Sequence, residues 1–85
     1  MEGNKGFHWE ARAFLILHEK GGAEGLQKRL SEMGDCLVVS EDQGRVSVHI
    51  HLKEGEDEDS FRKALNDFGE TKKASVEKEY WEKEG

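Results

Sequence analysis

Two histidines separated by one residue, His49 and His51, are the sharpest chemical feature of this sequence. Side chains at i and i+2 of a strand point the same way, roughly 6.5 to 7 Å apart. Imidazoles at that spacing can converge on a zinc ion with Zn–N bonds of about 2.0 to 2.1 Å. Zinc needs a third protein ligand, and the first alternating segment offers His8 or Glu10. Unmetallated surface histidines are the competing interpretation, because His-x-His pairs are common.

The remaining chemically capable residues give weaker patterns. Cys36 precedes an apolar run and is typical of a small core residue, with a metal ligand as the second interpretation. The acidic run from Glu54 to Asp59 lacks the spacing of a calcium loop and indicates a solvated segment. No order of serine, histidine and aspartate indicates a nucleophile, so the sequence predicts no catalytic residues.

Length and composition restrict the classes of function. The chain has 85 residues, a net charge of −6 and one cysteine. A chain of this size builds a single core. The acidic balance argues against a nucleic-acid partner, because neutralising phosphates requires a basic face. The longest apolar run, from Ala13 to Leu17, is too short to span a membrane. A lone cysteine suits a reducing compartment, so we expect a cytoplasmic protein.

The periodicity of apolar residues predicts six elements in the order β-α-β-β-α-β. Strand-like alternation covers residues 7–17 and 45–52, a short β-rich run covers 35–40, and a weak last strand covers 72–76. Residues 41–44 read as a hairpin turn. Two helices carry apolar stripes, the first ending at Gly34 as its C′ residue, the second starting at an Asp57 N-cap and closing at Gly69. The stripe residues are Leu26, Leu30 and Met33, then Phe61, Ala64, Leu65 and Phe68.

This order predicts an α+β fold, the ferredoxin-like split β-α-β arrangement with a four-stranded antiparallel sheet and two helices on one face. We expect the first and third strands to be central neighbours, and we expect them to run parallel. The predicted covered face carries Trp9, Ala11, Ala13, Val46, Val48 and Ile50, with Trp9 buried under the helices. The predicted open face carries His8, Glu10, Arg12, His49 and His51. Residues 1–6 are expected to be a disordered lead, 7–77 the domain, and 78–85 a charged tail.

One block of the sequence resembles a known family. Leu30-Ser-Glu-Met-Gly-Asp-Cys-Leu-Val-Val-Ser, a short acidic turn, then Val46-Ser-Val-His-Ile-His51 is similar to the middle domain of the ATP-binding subunit of bacterial fatty acid kinase, a dihydroxyacetone-kinase-like family. That family reads Leu-Gly-Asp-Ser-Leu-Val-Val-Val, a turn, then Val-His-Val-His-Thr. The resemblance covers about residues 7 to 77 and is most specific between Asp35 and His51.

The resemblance implies a zinc site made by the two strand histidines and a cysteine on the first strand. His49 and His51 match directly. The first strand has no cysteine, and two alignments place either His8 or Glu10 at that position. Cys36 stands where the family has a serine, and Leu52-Lys53-Glu54 replaces the family's threonine and following Asp-Pro.

The resemblance also implies the function. In the family this domain lies between a kinase domain and a domain that meets the fatty-acid-binding partner. We therefore expect a non-catalytic accessory domain with zinc on its open face. By resemblance its partner is the kinase domain or the fatty-acid-binding partner, or a second copy of the chain in a homodimer. A metal-free regulatory module that senses a small molecule is the first alternative. A free-standing zinc hydrolase or lyase is the second.

Overall fold

The computed structural model describes residues 5–82, with side chains over residues 8–78. Within that range four strands and two helices follow the order β1, α1, β2, β3, α2, β4. The α+β fold and the predicted element order are therefore confirmed. Their bounds are β1 Lys5–Leu17, α1 Ala23–Ser31, β2 Gly34–Asp42, β3 Arg45–Leu52, α2 Glu58–Asn66 and β4 Gly69–Glu82.

The strands form one sheet in the order β2-β3-β1-β4. The central position of β1 beside β3 is as predicted, but the predicted parallel direction is wrong, because the two strands are antiparallel. The connection through α1 returns the chain so that β2 runs parallel to β1, and the hairpin then reverses β3. Strand direction does not change which side of the sheet a side chain faces, so the predicted open face is unaffected.

The core lies between one face of the sheet and the two helices. Alternate residues of β1 and β3 are buried there with the apolar stripes of both helices, as their periodicity predicts. The predicted covered face is confirmed, and every one of its residues except Trp9 is buried. The buried residues are Ala11, Ala13, Leu15, Leu26, Leu30, Met33, Val46, Val48, Ile50, Leu52, Phe61, Ala64 and Leu65.

Trp9 lies at the margin of the core and is only half-buried, so the prediction that it is buried under the helices is wrong. Its ring faces the covered side, but Trp9 pairs with Leu52, the last residue of β3. It lines a shallow pocket with Val76 and the acidic residues at the start of α2. The ammonium of Lys78 lies 5.1 Å from its ring centroid, within cation–π range. The face assignment of β1 is therefore right, whereas the depth of this side chain is not.

Local sequence signals explain the hairpin and the start of α2. The β2–β3 turn consists of Gln43 and Gly44, both with positive φ (54° and 83°), as in the tight turns that match the strand twist. The predicted N-cap is confirmed, because the Asp57 carboxylate accepts a hydrogen bond from the Ser60 N–H at 2.9 Å. The Ser60 hydroxyl accepts in return from the Asp57 N–H, completing a capping box.

Gly34 and Gly69 serve close strand packing instead of ending helices. Each is the first residue of a strand, and neither has a positive φ, so the predicted C′ role is wrong. A Cβ atom at Gly34 would collide with the carbonyl oxygen of His51, and one at Gly69 would collide with the carbonyl oxygen of Ile16. Glycine is therefore required at the first residue of the strand that follows each helix.

The last strand is longer than its alternation predicts. It extends through Glu82 and pairs with β1 along the whole of that strand, so backbone pairing and not apolar content defines its length. Part of the predicted lead and tail therefore belongs to the sheet, and residues 1–4 and 83–85 lie outside the described range. Neither helix between residues 5 and 82 is long and apolar enough to cross a membrane.

Candidate metal centre

Four residues predicted to share the open face come together there. The register of β1 and β3 places Glu10 opposite His51 and Arg12 opposite His49. His8 precedes Glu10 by two positions and points to the same side. We call His8, Glu10, His49 and His51 the histidine–glutamate cluster. Sheet pairing thus unites residues about 40 positions apart in the chain.

The carboxylate of Glu10 is the centre of this cluster. Its Oε1 lies 3.7 Å from His8 Nε2, and its Oε2 lies 3.8 Å from His51 Nε2. His49 Nε2 forms a hydrogen bond to the same Oε2, and Arg12 Nη2 lies 3.5 Å from it. The Glu10 side chain is only 11% exposed, although it lies on the open face of the sheet. One carboxylate therefore faces three nitrogen donors and a guanidinium.

These contacts stabilise the ionised form of Glu10. An ionised carboxylate only accepts hydrogen bonds, so His49 Nε2 must carry the proton and donate it. That hydrogen bond is the main reason why the pKa of Glu10 is lowered from its ordinary value of 4.5. Partial burial works in the opposite direction, and the charges of His49, Arg12 and His51 add to the lowering. The Glu10 carboxylate is therefore negatively charged and can attract a bound cation.

The donor types of this cluster suit a zinc ion, and their spacing is wider than coordination requires. Imidazole nitrogens and a carboxylate oxygen are ligands that zinc prefers. One ligand atom from each of His8, Glu10 and His51 lies within 4.8 Å of the others. Tetrahedral zinc with bonds near 2.0 Å needs ligand atoms about 3.3 Å apart. Side-chain rotations that move each of these atoms by about an ångström would therefore bring the group to coordination distance.

The aromatic packing shows how the three rings are arranged. The rings of His8 and His51 stack with centroids 4.0 Å apart, and those of His49 and His51 meet edge-on at 5.7 Å. His49 is not in the 4.8 Å group, but it reaches the same carboxylate oxygen by its hydrogen bond. The structure therefore brings together all four residues that the sequence predicts for this site. The sequence offered either His8 or Glu10 as the third ligand, and in the structure the two residues lie side by side.

The environment of Cys36 differs from the one that the sequence predicts. It is exposed, so its predicted role as a small core residue is wrong. The pairing of β2 with β3 shifts register between Asp35 and Val38, and Cys36 has a positive φ of 54° in this bulge. Ligand atoms of Asp35, Cys36 and His51 lie within 4.8 Å of one another. The apolar run after Cys36 hides this position, because a bulge breaks the alternation on which the assignment depends.

Comparison with known proteins supports the family resemblance of the residues that surround this site. No curated protein and no solved structure gives a significant match to the chain. The model of the FakA-like middle domain of fatty acid kinases matches residues 7–79. The match spans both helices and most or all of each strand, and it includes the whole histidine–glutamate cluster. The chain accordingly belongs to the family of FakA-like middle domains of fatty acid kinases.

Proposed function

We propose that this chain is a zinc-binding accessory domain of a FakA-like fatty acid kinase, without catalytic activity of its own. The observation that carries the proposal is the convergence of three imidazoles on the carboxylate of Glu10. Family membership supplies the kinase context. A kinase domain and a fatty-acid-binding protein are the proposed partners, and a second copy of the chain is the third.

In this proposal His49 and His51 supply two ligands from β3, and β1 supplies the third. His8 is the first choice for that third ligand, because its ring stacks on His51 and its nitrogen lies beside Glu10. Glu10 then remains next to the ion and offsets one of its two positive charges. It can accept a hydrogen bond from a ligand ring only through the ring nitrogen that does not bind the ion. Outer carboxylates of this kind orient ligating histidines.

A metal-free regulatory module is the second candidate. The specific observation in its favour is that His49 already donates a hydrogen bond to Glu10, which satisfies the carboxylate without an ion. In that case the cluster would be a polar network that stabilises the open face of the sheet. Zinc content separates the two candidates directly.

The test is the zinc content of protein purified without a nickel column, together with the shift in melting temperature on adding zinc near pH 7.5, where imidazole is neutral. We expect about one zinc per chain and a higher melting temperature, because a ligand that binds only the native state stabilises it. His51→Ala should lose both, because His51 contacts the rings of His8 and His49 and lies beside Glu10.

His18→Ala is the matched control. His18 is exposed and follows the end of β1, outside the histidine–glutamate cluster. This variant should bind zinc as the wild type does. A wild-type melting temperature that saturating zinc leaves unchanged would rule out the metal site and favour the regulatory module.

A further inference from the structure

Two groups of side chains of metal-binding type share one histidine. His51 belongs to the group with His8 and Glu10 and also to the group with Asp35 and Cys36. A single surface cavity is lined by residues of both groups, His8, His51, Asp35 and Cys36 among them. A thiol from β2 therefore faces the same space as the imidazoles from β1 and β3.

The backbone explains how a residue of β2 reaches this cavity. Gly34 lies against the carbonyl of His51, which draws the start of β2 close to the end of β3. Asp35 pairs with His51, and the bulge that follows adds one residue before pairing resumes at Val38 and His49. That additional residue, together with the positive φ of Cys36, turns the thiol out of the core and leaves it exposed.

We propose that Cys36 is the fourth ligand of the zinc ion, so that the ion joins three strands through one thiolate and three imidazoles. This proposal rests on the zinc site proposed above and assigns the position which that site leaves open. Thiolate is a ligand that zinc and other borderline-soft ions prefer, with Zn–S bonds of about 2.3 Å. One thiolate and the neighbouring Glu10 carboxylate would also balance the two positive charges of the ion.

A fourth protein ligand changes what the site can do. Zinc with four protein ligands has no position for a water molecule and is structural, whereas catalytic zinc keeps one position open. With Cys36 bound, the ion would fix the edge strand β2 to the two central strands. The site would then take zinc, cobalt or cadmium in preference to magnesium or calcium, which select oxygen ligands.

Cobalt(II) substitution tests the thiolate directly, because Cys36 is the only cysteine in the 85-residue chain. Bound cobalt should give a sulfur-to-cobalt charge-transfer band in the near ultraviolet and the visible bands of a tetrahedral ion. Cys36→Ser should still bind cobalt but lose the charge-transfer band, with affinity reduced about 10-fold or more. Zinc should also slow the reaction of the wild-type thiol with an aromatic disulfide reagent.

Two controls separate position from the mere presence of sulfur or charge. The double variant Cys36→Ser with Ser40→Cys keeps one thiol on β2, but opposite Ser47 and away from the cavity. It should lack the charge-transfer band. Asp35→Asn should keep the band, because we assign the ligand to sulfur and not to the neighbouring carboxylate.

The outcomes distinguish this inference from the proposed zinc site. Wild-type protein that binds cobalt without a charge-transfer band would overturn the role of Cys36 and leave the histidine site standing. Wild-type protein that binds neither cobalt nor zinc would overturn both. The wild-type spectrum alone decides the first question, so the test does not depend on the folding of any variant.

Discussion

At the scale of single residues, Glu10 and His8 have different parts in the cluster although both face the same space. Glu10 is the more covered of the two, at 11% exposure of its side chain against 30% for His8. Its carboxylate is already engaged by His49 and Arg12, whereas the His8 ring is stacked on His51 beside the cavity. This difference favours His8 as the ligand from β1 and Glu10 as the neighbouring anion.

His8→Ala and Glu10→Gln should therefore reduce zinc affinity to different extents. We expect His8→Ala to lose tight binding, because it removes a ligand. Glu10→Gln should weaken binding about 10- to 100-fold, as the loss of an outer carboxylate does. Calorimetric titration with zinc measures both, and binding by the wild type should weaken in acid, because only a neutral imidazole can bind the ion. The reverse ranking of the two variants would make Glu10 the ligand.

At the scale of elements, the start of α2 shows most clearly how a short signal fixes a helix. Asp57 ends the acidic segment before α2 and exchanges hydrogen bonds with Ser60 in the first turn of the helix. The hydrogen bond from the Ser60 N–H is the main reason why the pKa of Asp57 is lowered from its ordinary value of 3.8. A lowered pKa means that folding favours the ionised carboxylate.

The capping box should consequently contribute to stability in a pH-dependent way. Since the folded pKa of Asp57 lies below its unfolded value, the contribution is complete above pH 3.8 and is lost as pH falls through the folded pKa. Asp57→Asn keeps a capping side chain that does not titrate. The stability difference between the wild type and this variant, measured by urea unfolding, should be constant at neutral pH and shrink in acid. A difference that persists unchanged in strong acid, well below the ordinary pKa of aspartate, would contradict the assignment.

β2 shows the opposite case, an element whose local sequence misleads. Its apolar residues form a continuous run instead of alternating, and the bulge at Cys36 moves each later residue by one position relative to β3. Val38 is consequently 56% exposed although it lies in the middle of the run. The pairing partner, not the run itself, decides which of these side chains are covered.

At the scale of the whole molecule, the core and the candidate site lie on opposite faces of one sheet. The buried apolar side chains lie on the face that the helices cover, whereas the histidine–glutamate cluster lies on the open face. The core is therefore complete without the site. The chain should fold after treatment with a chelator, with far-ultraviolet circular dichroism like that of the zinc-loaded protein. Loss of that signal on chelation would show that the fold depends on the ion.

Two aromatic truncations test how the core is distributed. Phe61 is fully buried, so Phe61→Ala should cost about 3 to 5 kcal/mol of unfolding free energy. Trp9 lies at the core margin and should cost clearly less when changed to alanine. Urea unfolding of both variants gives the comparison, and an equal loss would show that Trp9 is buried more deeply than its position at the core margin indicates. In so small a domain, the loss caused by Phe61→Ala is expected to approach the whole free energy of unfolding.

Three features could be predicted from the amino-acid sequence: the element order, the core face and the set of residues on the open face. These follow from local rules: alternation fixes which side of a strand each residue takes, and a capping residue or a tight turn fixes where an element begins or ends. For that reason the sequence predicts one shared surface for four residues, His8, Glu10, His49 and His51. The family resemblance, confirmed over residues 7–79, narrowed the chemistry that this surface was expected to perform.

Three other features required the three-dimensional structure: the direction of β1 against β3, the depth of Trp9 and the position of Cys36. Each depends on contacts between segments distant in the chain: the path of a crossover, the closeness of a neighbouring loop, and one unpaired residue in a strand. The bulge has the largest consequence, because a shift of one residue exchanges the two faces of a strand. It turns Cys36 from an expected core residue into an exposed thiol beside His51.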